Sequence, residues 1–127
     1  MANDYAGVQA LIGRYFDGLY HSDAEGLADV FHPDARYVTA TAEPLVHLGM
    51  DEYLPVVAAR PAPAARGEPR RDRIVSITFA GPDTAVAIVN CAIAERHFTD
   101  LLSLIRVDGA WRIIAKVFHY DIVEMSA

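Results

Sequence analysis

The chain has 127 residues, 53% hydrophobic and 22% charged, the make-up of a globular domain with its own core and not of a disordered chain. A formal net charge of −6 argues against nucleic acid as a partner, and no apolar run approaches the roughly 18 residues that a membrane span needs. One cysteine, Cys91, excludes an internal disulfide and a cysteine-based zinc site.

The start, Met1-Ala2-Asn3-Asp4-Tyr5, has no basic stretch followed by an apolar one, so no secretory leader is expected and the cytoplasm is the expected compartment. Apolar residues then fall at Val8, Leu11, Ile12, Tyr15, Phe16, Leu19 and Tyr20, one stripe of a helix. Ser22-Asp23-Ala24-Glu25 reads as a capping box opening a second helix, with Leu27, Val30 and Phe31 on its inner face and Pro33 as its stop. The two predict a helical hairpin. A short strand from Arg36 to Thr41 follows, then a turn at Glu43-Pro44 and a return over Leu45–Leu48. Gly49 precedes a third helix near Asp51–Arg60, in which Pro55 predicts a late start or a bend. Residues 61–73, with three prolines and four arginines, read as an exposed, mobile loop. Its Arg66, Arg70, Arg71 and Arg73 are either a solvated face or a clamp for an anionic substrate.

Everything after Arg73 reads as sheet. Ile74, Val75, Ile77 and Phe79 form one strand, closed by Gly81-Pro82-Asp83; Thr84–Ala94, Phe98–Val107 and Trp111–Val123 form three more. Asp108-Gly109 predicts a two-residue hairpin turn. Three helices with two short strands among them, followed by four long antiparallel strands, predict a single α+β domain over residues 1–127. Pairing outward from the turn sets Val107 against Ala110, Ile105 against Arg112, Ser103 against Ile114, Leu101 against Lys116 and Phe98 against His119. Phe98, Leu102, Leu104, Trp111 and Ile113 then share the opposite face. Left in water that patch would be too large for a monomer, so a homodimer is expected.

Particular segments carry a resemblance over nearly the whole chain. They are Arg14-Tyr15-Phe16-Asp17-Gly18, Ser22-Asp23, Phe31-His32-Pro33-Asp34-Ala35, Phe98-Thr99-Asp100-Leu101-Leu102-Ser103-Leu104, Asp108-Gly109-Ala110-Trp111-Arg112-Ile113 and Lys116-Val117-Phe118. With the element order, they resemble the nuclear-transport-factor-2-like superfamily, and within it the putative lumazine-binding subgroup, close to the SnoaL-like cyclases. The resemblance implies a curved antiparallel sheet wrapped as a cone around the helical hairpin and third helix, with a pocket inside. That superfamily holds isomerases, dehydratases, cyclases, epoxide hydrolases and non-catalytic binders, so fold alone does not choose a function. Its ketosteroid-isomerase type uses a first-helix tyrosine and a protonated aspartate as oxyanion donors, with a second aspartate as base. Tyr15 matches the tyrosine, but alignment puts Thr39 at the base and Ser103 at the protonated aspartate. The resemblance therefore implies the pocket and not that mechanism.

Lys116 is the most informative residue, the only lysine among eleven basic residues, and it sits in mid-strand. On the parity that the superfamily alignment turns inward, it must find a carboxylate or lose its charge; the alternative is an edge ion pair whose stem packs on apolar neighbours. Asp100 faces the other way in plain pairing, and a bulge or one-residue slip would turn it toward Lys116 as an acid/base or ion-pair couple. Otherwise it is a surface carboxylate. Tyr15 has its ring in the core, and its buried hydroxyl needs a partner. Ser103, Asn90 and Thr39 could present polar groups to a ligand, Tyr53 and Tyr120 could add polar tips at the mouth, and Phe16 and Phe118 are placed as apolar lining. His32, at a helix end, is either a cation favoured by the helix dipole or a pocket group. His97 and His119 are expected near each other across the last hairpin, with no third ligand, so no metal and no cofactor is expected. Cys91 in an apolar run behaves as a small hydrophobe. Two functions follow. One is a cofactor-free isomerase, dehydratase or cyclase acting on a small apolar carbonyl compound, with Lys116 or Asp100 moving a proton and Tyr15 with Ser103 polarising the oxygen. The other is a binder or accessory dimerisation module that holds a small-molecule ligand through Tyr15, Asn90 and Lys116 without bond changes.

Overall fold

The computed structural model describes residues 3–124. Helix α1 spans Tyr5–Tyr20, and its buried stripe is Val8, Leu11, Ile12, Tyr15, Phe16 and Leu19, the spacing read from the sequence. Asp4 caps it, accepting from Gly7 N–H at 3.0 Å. Helix α2 is shorter, Ala24–Val30, and buries Leu27 and Val30. Its cap is Asp23, accepting from Gly26 N–H at 3.0 Å, and not Ser22, which stands at φ 49° in the turn. At the crossing of the two helices Gly18 meets Leu27 so closely that an added Cβ would lie 2.6 Å from Leu27 Cδ2. Helix α3 spans Met50–Ala59 and runs through Pro55 without a late start; its buried residues are Met50, Tyr53 and Val57.

Six strands make one sheet in the order β2-β1-β6-β5-β4-β3: β1 Phe31–Thr39, β2 Val46–Gly49, β3 Arg73–Phe79, β4 Thr84–Ile93, β5 Arg96–Val107 and β6 Ala110–Ile122. The α+β cone expected from the sequence is present. Two corrections apply. Phe31 has left α2 and opens β1, because Pro33 has no N–H for a further helical turn. The sheet is also mixed, since β1 runs parallel to β6, with Tyr37 beside Lys116 and Val38 beside Val117, while every other pair is antiparallel. Strand direction depends on where the chain re-enters the sheet, which local pattern does not record.

The β5–β6 hairpin begins as read. Asp108 and Gly109 both have positive φ, and Val107 pairs with Ala110 and Ile105 with Arg112. One extra residue then enters β6: Leu104 pairs with Ile113 but Ser103 with Ala115, leaving Ile114 as a bulge. Beyond it Lys116 pairs with Leu102, Phe118 with Asp100 and Tyr120 with Phe98. The faces are consequently the reverse of the expected ones for β5 and the start of β6. Phe98, Leu102, Leu104, Trp111 and Ile113 are all buried against the helices and form no outer patch. Burying each such large apolar side chain contributes about 1.5–3 kcal/mol. His97 lies opposite Asp121 and His119 opposite Thr99, so the two histidines do not face each other.

The 61–73 segment is tied down. It contains a short 3₁₀ turn, Ala64–Arg66. Arg70 bonds Asp17 at 2.9 Å and Asp72 at 2.6 Å and covers the Tyr20 ring. Tyr20 donates to the Glu68 carbonyl at 2.6 Å, and Ala94 N–H donates to the Glu68 carboxylate at 2.8 Å.

Candidate functional site

The bulge at Ile114 turns Asp100 and Lys116 to the same, inner face, in the way a slip in register would. Asp100 is 0% exposed and Lys116 3%. Above them α1 delivers Tyr15, also fully buried, whose hydroxyl donates to Asp100 Oδ2 at 2.6 Å. Lys116 Nζ stands 3.8 Å from the same oxygen. That length is ionic and too long for a hydrogen bond, so Asp100 leaves the ammonium's donors open. Cys91 on β4 closes the set, its thiol 3.7 Å from Asp100 Oδ2. Three groups therefore converge on one oxygen, while Asp100 Oδ1 and the Tyr53 hydroxyl are buried without a partner among the described residues.

The ammonium is enclosed by aromatic rings. Nζ lies 5.0 Å from the centre of Phe118, 5.2 Å from Tyr15 and Tyr37, 5.8 Å from Phe98 and 6.0 Å from Tyr53. Tyr37 and Tyr53 stack at 4.2 Å with 22° between their planes. The parallel β1–β6 pairing sets Tyr37 beside Lys116, and α3 lays Tyr53 over it.

Electrostatics follow from this enclosure. Burial raises the Tyr15 hydroxyl well above the ordinary tyrosine value, and the Asp100 charge raises it further. The Cys91 thiol is pushed up by burial first and by Asp100 second, which leaves it protonated and inert. For Lys116 burial is the largest single influence and pulls downward, but the Asp100 carboxylate together with Tyr53, Tyr37 and Cys91 outweighs it and holds the amine above its usual value. Tyr37 is raised by burial, with Lys116 and Arg60 pulling the other way. Lys116 is thus held as an ammonium able to donate to a ligand oxygen, and Asp100 Oδ1 beside it has no hydrogen-bond donor among the described residues.

Of the residues singled out in the sequence, Tyr15, Asp100, Lys116, Tyr53 and Phe118 come together. Tyr120 stands at the rim, its ring tilted 57° to that of Phe98 at 5.7 Å and covered by Arg96. Phe16 packs beside Tyr15 at 5.8 Å. Thr39 is buried, but its hydroxyl is spent on the Phe118 carbonyl at 2.7 Å. Ser103 and Asn90 are not in the site. They alternate with the inward residues Leu102, Leu104, Val89 and Cys91, and Asn90 bonds Thr99 Oγ1 and the Phe98 carbonyl on the outer side. His32 lies in β1, where its Nδ1 accepts from Asp34 N–H at 3.0 Å, away from the cluster. Sequence reasoning missed Tyr37 and assigned Phe98 to the wrong face. The alternation of Ala35, Tyr37 and Thr39 along β1 was the available signal for Tyr37. Among the described residues no three His, Cys, Asp or Glu side chains are grouped to hold a metal ion.

Two cavities open near this end of the sheet. One of about 420 Å³ is lined by Glu68, Pro69, Arg71, His97, Val123 and Glu124 among others, and none of the cluster residues reaches it. The other, about 270 Å³, is bounded by Phe98, whose ring also belongs to the cage around Lys116.

Residues 3–119 match the protein family described as putative lumazine-binding. No curated protein matches the chain. Among solved structures it is similar to an NTF2-like protein of unknown function from Methylobacillus flagellatus KT, with 25% identity over 93% of this chain and 92% of that one and a TM-score of 0.81. A second NTF2-like protein of unknown function, from Shewanella baltica OS155, gives 20% identity, 93% and 94% coverage and a TM-score of 0.82. A ketosteroid isomerase-like protein from Erwinia carotovora atroseptica gives 13%, 94%, 98% and 0.74. At 20% and 13% identity the last two bear on the fold alone.

Proposed function

We propose a function from one premise: the chain belongs to the putative lumazine-binding family, within the nuclear-transport-factor-2-like superfamily. It is one such domain over residues 1–127, and it acts on a small apolar carbonyl compound by proton transfer, as an isomerase, dehydratase or cyclase without a cofactor. The observation that carries this reading is the buried set of Asp100, Lys116 and Tyr15, in which Asp100 Oδ1 has no partner among the described residues and Lys116 is held charged. Asp100 Oδ1 takes a proton from the carbon beside the carbonyl. The Lys116 ammonium, with the Tyr53 hydroxyl, stabilises the negative charge that develops on the oxygen. Tyr15 fixes the carboxylate by its 2.6 Å hydrogen bond and acts as a positioning residue. Ser103, on the outer face, has no part in it.

The test is exchange of α-protons of 2-tetralone in D2O, followed by proton NMR. The protein is expected to speed exchange by about 10²-fold or more over buffer, and Asp100→Asn to remove the effect. A second reading, a binder without chemistry, is favoured by one observation: Asp100 and Tyr15 are both 0% exposed, so a ligand must first displace part of the aromatic wall. Binding of 2-tetralone without exchange selects that reading, and neither binding nor exchange counts against both.

Among the described residues no helix is long and apolar enough to cross a membrane. A cytoplasmic location is part of this proposal. A homodimer also remains our reading, now through other residues. Ile88, Leu101, Val117 and Val38 are paired in one row across four strands, and Leu101 and Val117 are each 45% exposed. Light scattering at micromolar concentration should give the mass of two chains.

A further inference from the structure

Arg60 ends α3. Its backbone N–H closes on the Val57 carbonyl at 3.1 Å, and its guanidinium carries two buried nitrogens, Nε and Nη2, that find no acceptor among the described residues. Buried donors in that state are uncommon in folded proteins, and a guanidinium cannot escape by losing its charge. The two lie on one edge of the fork, the edge that matches both oxygens of a carboxylate. The Arg60 charge also acts on the Tyr37 hydroxyl, favouring its ionised form against the burial that raises it.

Arg60 lines the cavity of about 270 Å³ together with Arg66, Arg96, Ile93, Phe98 and Glu95, its two unpaired nitrogens buried beside it. Three arginines and one acidic residue, Glu95, line it, in a chain whose net charge is −6. Arg66 is braced by Glu68 at 2.8 Å, and Arg96 lies over the Tyr120 ring at 4.7 Å, so both are held in place with donors left over. Ile93 and Phe98 supply the apolar wall. The volume sits just below the about 300–1,000 Å³ usual for small-molecule sites, the size for a body of one or two rings. Phe98 is shared, being 5.8 Å from Lys116 Nζ on its inner side.

We propose that this vestibule is a binding subsite for an organic carboxylate, with Arg60 taking the carboxylate side-on and the flat apolar body of the ligand lying on Ile93 and Phe98 toward Lys116. The proposal rests on the pocket reading above and adds the charge of the ligand. A neutral ketone can reach the inner cluster, but the preferred ligand carries an anionic end that stays with the arginines.

Titration calorimetry on the full chain with 1-naphthoate, and with the neutral 1-naphthamide of nearly equal shape, tests it. The acid is expected to bind at least about tenfold more tightly than the amide, and more weakly as salt is raised. Arg60→Gln should lower affinity for the acid at least about tenfold with little change for the amide, and Arg60→Lys should not restore it, because an ammonium lacks the fork. Equal affinity of wild type for acid and amide, a folded Arg60→Gln protein with unchanged affinity, or no binding of the acid up to about 5 mM would each overturn the subsite. The acid-to-amide comparison needs no variant and decides the matter even where Arg60→Gln fails to fold. Charge-selective binding of naphthoate without 2-tetralone exchange removes the catalytic reading and keeps the subsite. Exchange with no preference for the acid does the reverse.

Discussion

Between the Asp108-Gly109 turn and the bulge at Ile114, the inner face of the β5–β6 hairpin carries Leu104, Trp111 and Ile113; beyond the bulge it carries Phe98, Asp100, Lys116 and Phe118. Both halves are equally hidden from water, with Ile113 at 0% and Leu104 at 1% exposure against Asp100 at 0% and Lys116 at 3%. In the near half the polar contact stands at the rim, where Trp111 Nε1 donates to Asp4 Oδ2 at 3.0 Å and ties the hairpin to the start of α1. In the far half an ion pair is enclosed. Apolar burial stabilises outright, whereas the Coulomb attraction of a buried pair does little more than offset its desolvation. The near half accordingly holds the fold, and the far half keeps groups that stability does not require, in the arrangement expected of a functional site.

The largest break in that comparison is deletion of Ile114. It restores plain pairing and turns Lys116, Phe118 and Tyr120 to the outer face, so unfolding stability should fall by more than about 4 kcal/mol, or cooperative unfolding should vanish in a denaturant titration.

Next come Asp100→Ala, at about 3–5 kcal/mol, and Ile113→Ala, at about 2–5 kcal/mol. The two should separate by pH. Asp100→Ala strands the ammonium of Lys116, whose folded-state pKa then falls below the unfolded value near 10.4. Its deficit should shrink as pH rises toward 10, because the folded state then prefers the neutral amine. The Ile113→Ala deficit should hold constant from pH 6 to 9.

Tyr15→Phe removes one hydrogen bond to a carboxylate and should cost about 1.5–3 kcal/mol, read as a shift in denaturation midpoint. The wild-type protein has its own alkaline signature. Lys116 and Tyr15 both hold their protons more tightly folded than unfolded, so their contribution is complete below their unfolded values, about 10.4 and 10, and is lost as pH climbs from there toward their folded values. Stability that rises between pH 10 and 11 would contradict the enclosed pair. The smallest effect belongs to Ser103→Ala. On the exposed outer face it should stay within about 0.5 kcal/mol and leave 2-tetralone exchange unchanged.

The site was legible in pieces. Lys116 stood out as a lone lysine in mid-strand, Tyr15 lay on a helix stripe, and Asp100 needed one bulge to join them. Ser103 was misplaced by the same bulge, since a count from the turn carries the wrong parity past Ile114; Asn90 lies on β4, away from that bulge, where its neighbours Val89 and Cys91 are the inward residues. Tyr37 left only its place in the alternation along β1, and Arg60 left no comparable trace, because it reaches the site from an element far away in sequence.

Local pattern by itself determined the helical hairpin, the third helix, the Asp108-Gly109 turn and the four-strand succession, because each depends on periodicity or turn chemistry within a few residues. Only the tertiary structure decided that β1 runs parallel to β6, which face of the hairpin turns inward, and that Asp100, Lys116, Tyr15, Tyr37 and Tyr53 share one enclosure. Strand direction and bulge position are set by what the sheet must wrap around, and that demand comes from α1 and α3, whose sequences lie far from the hairpin they cover.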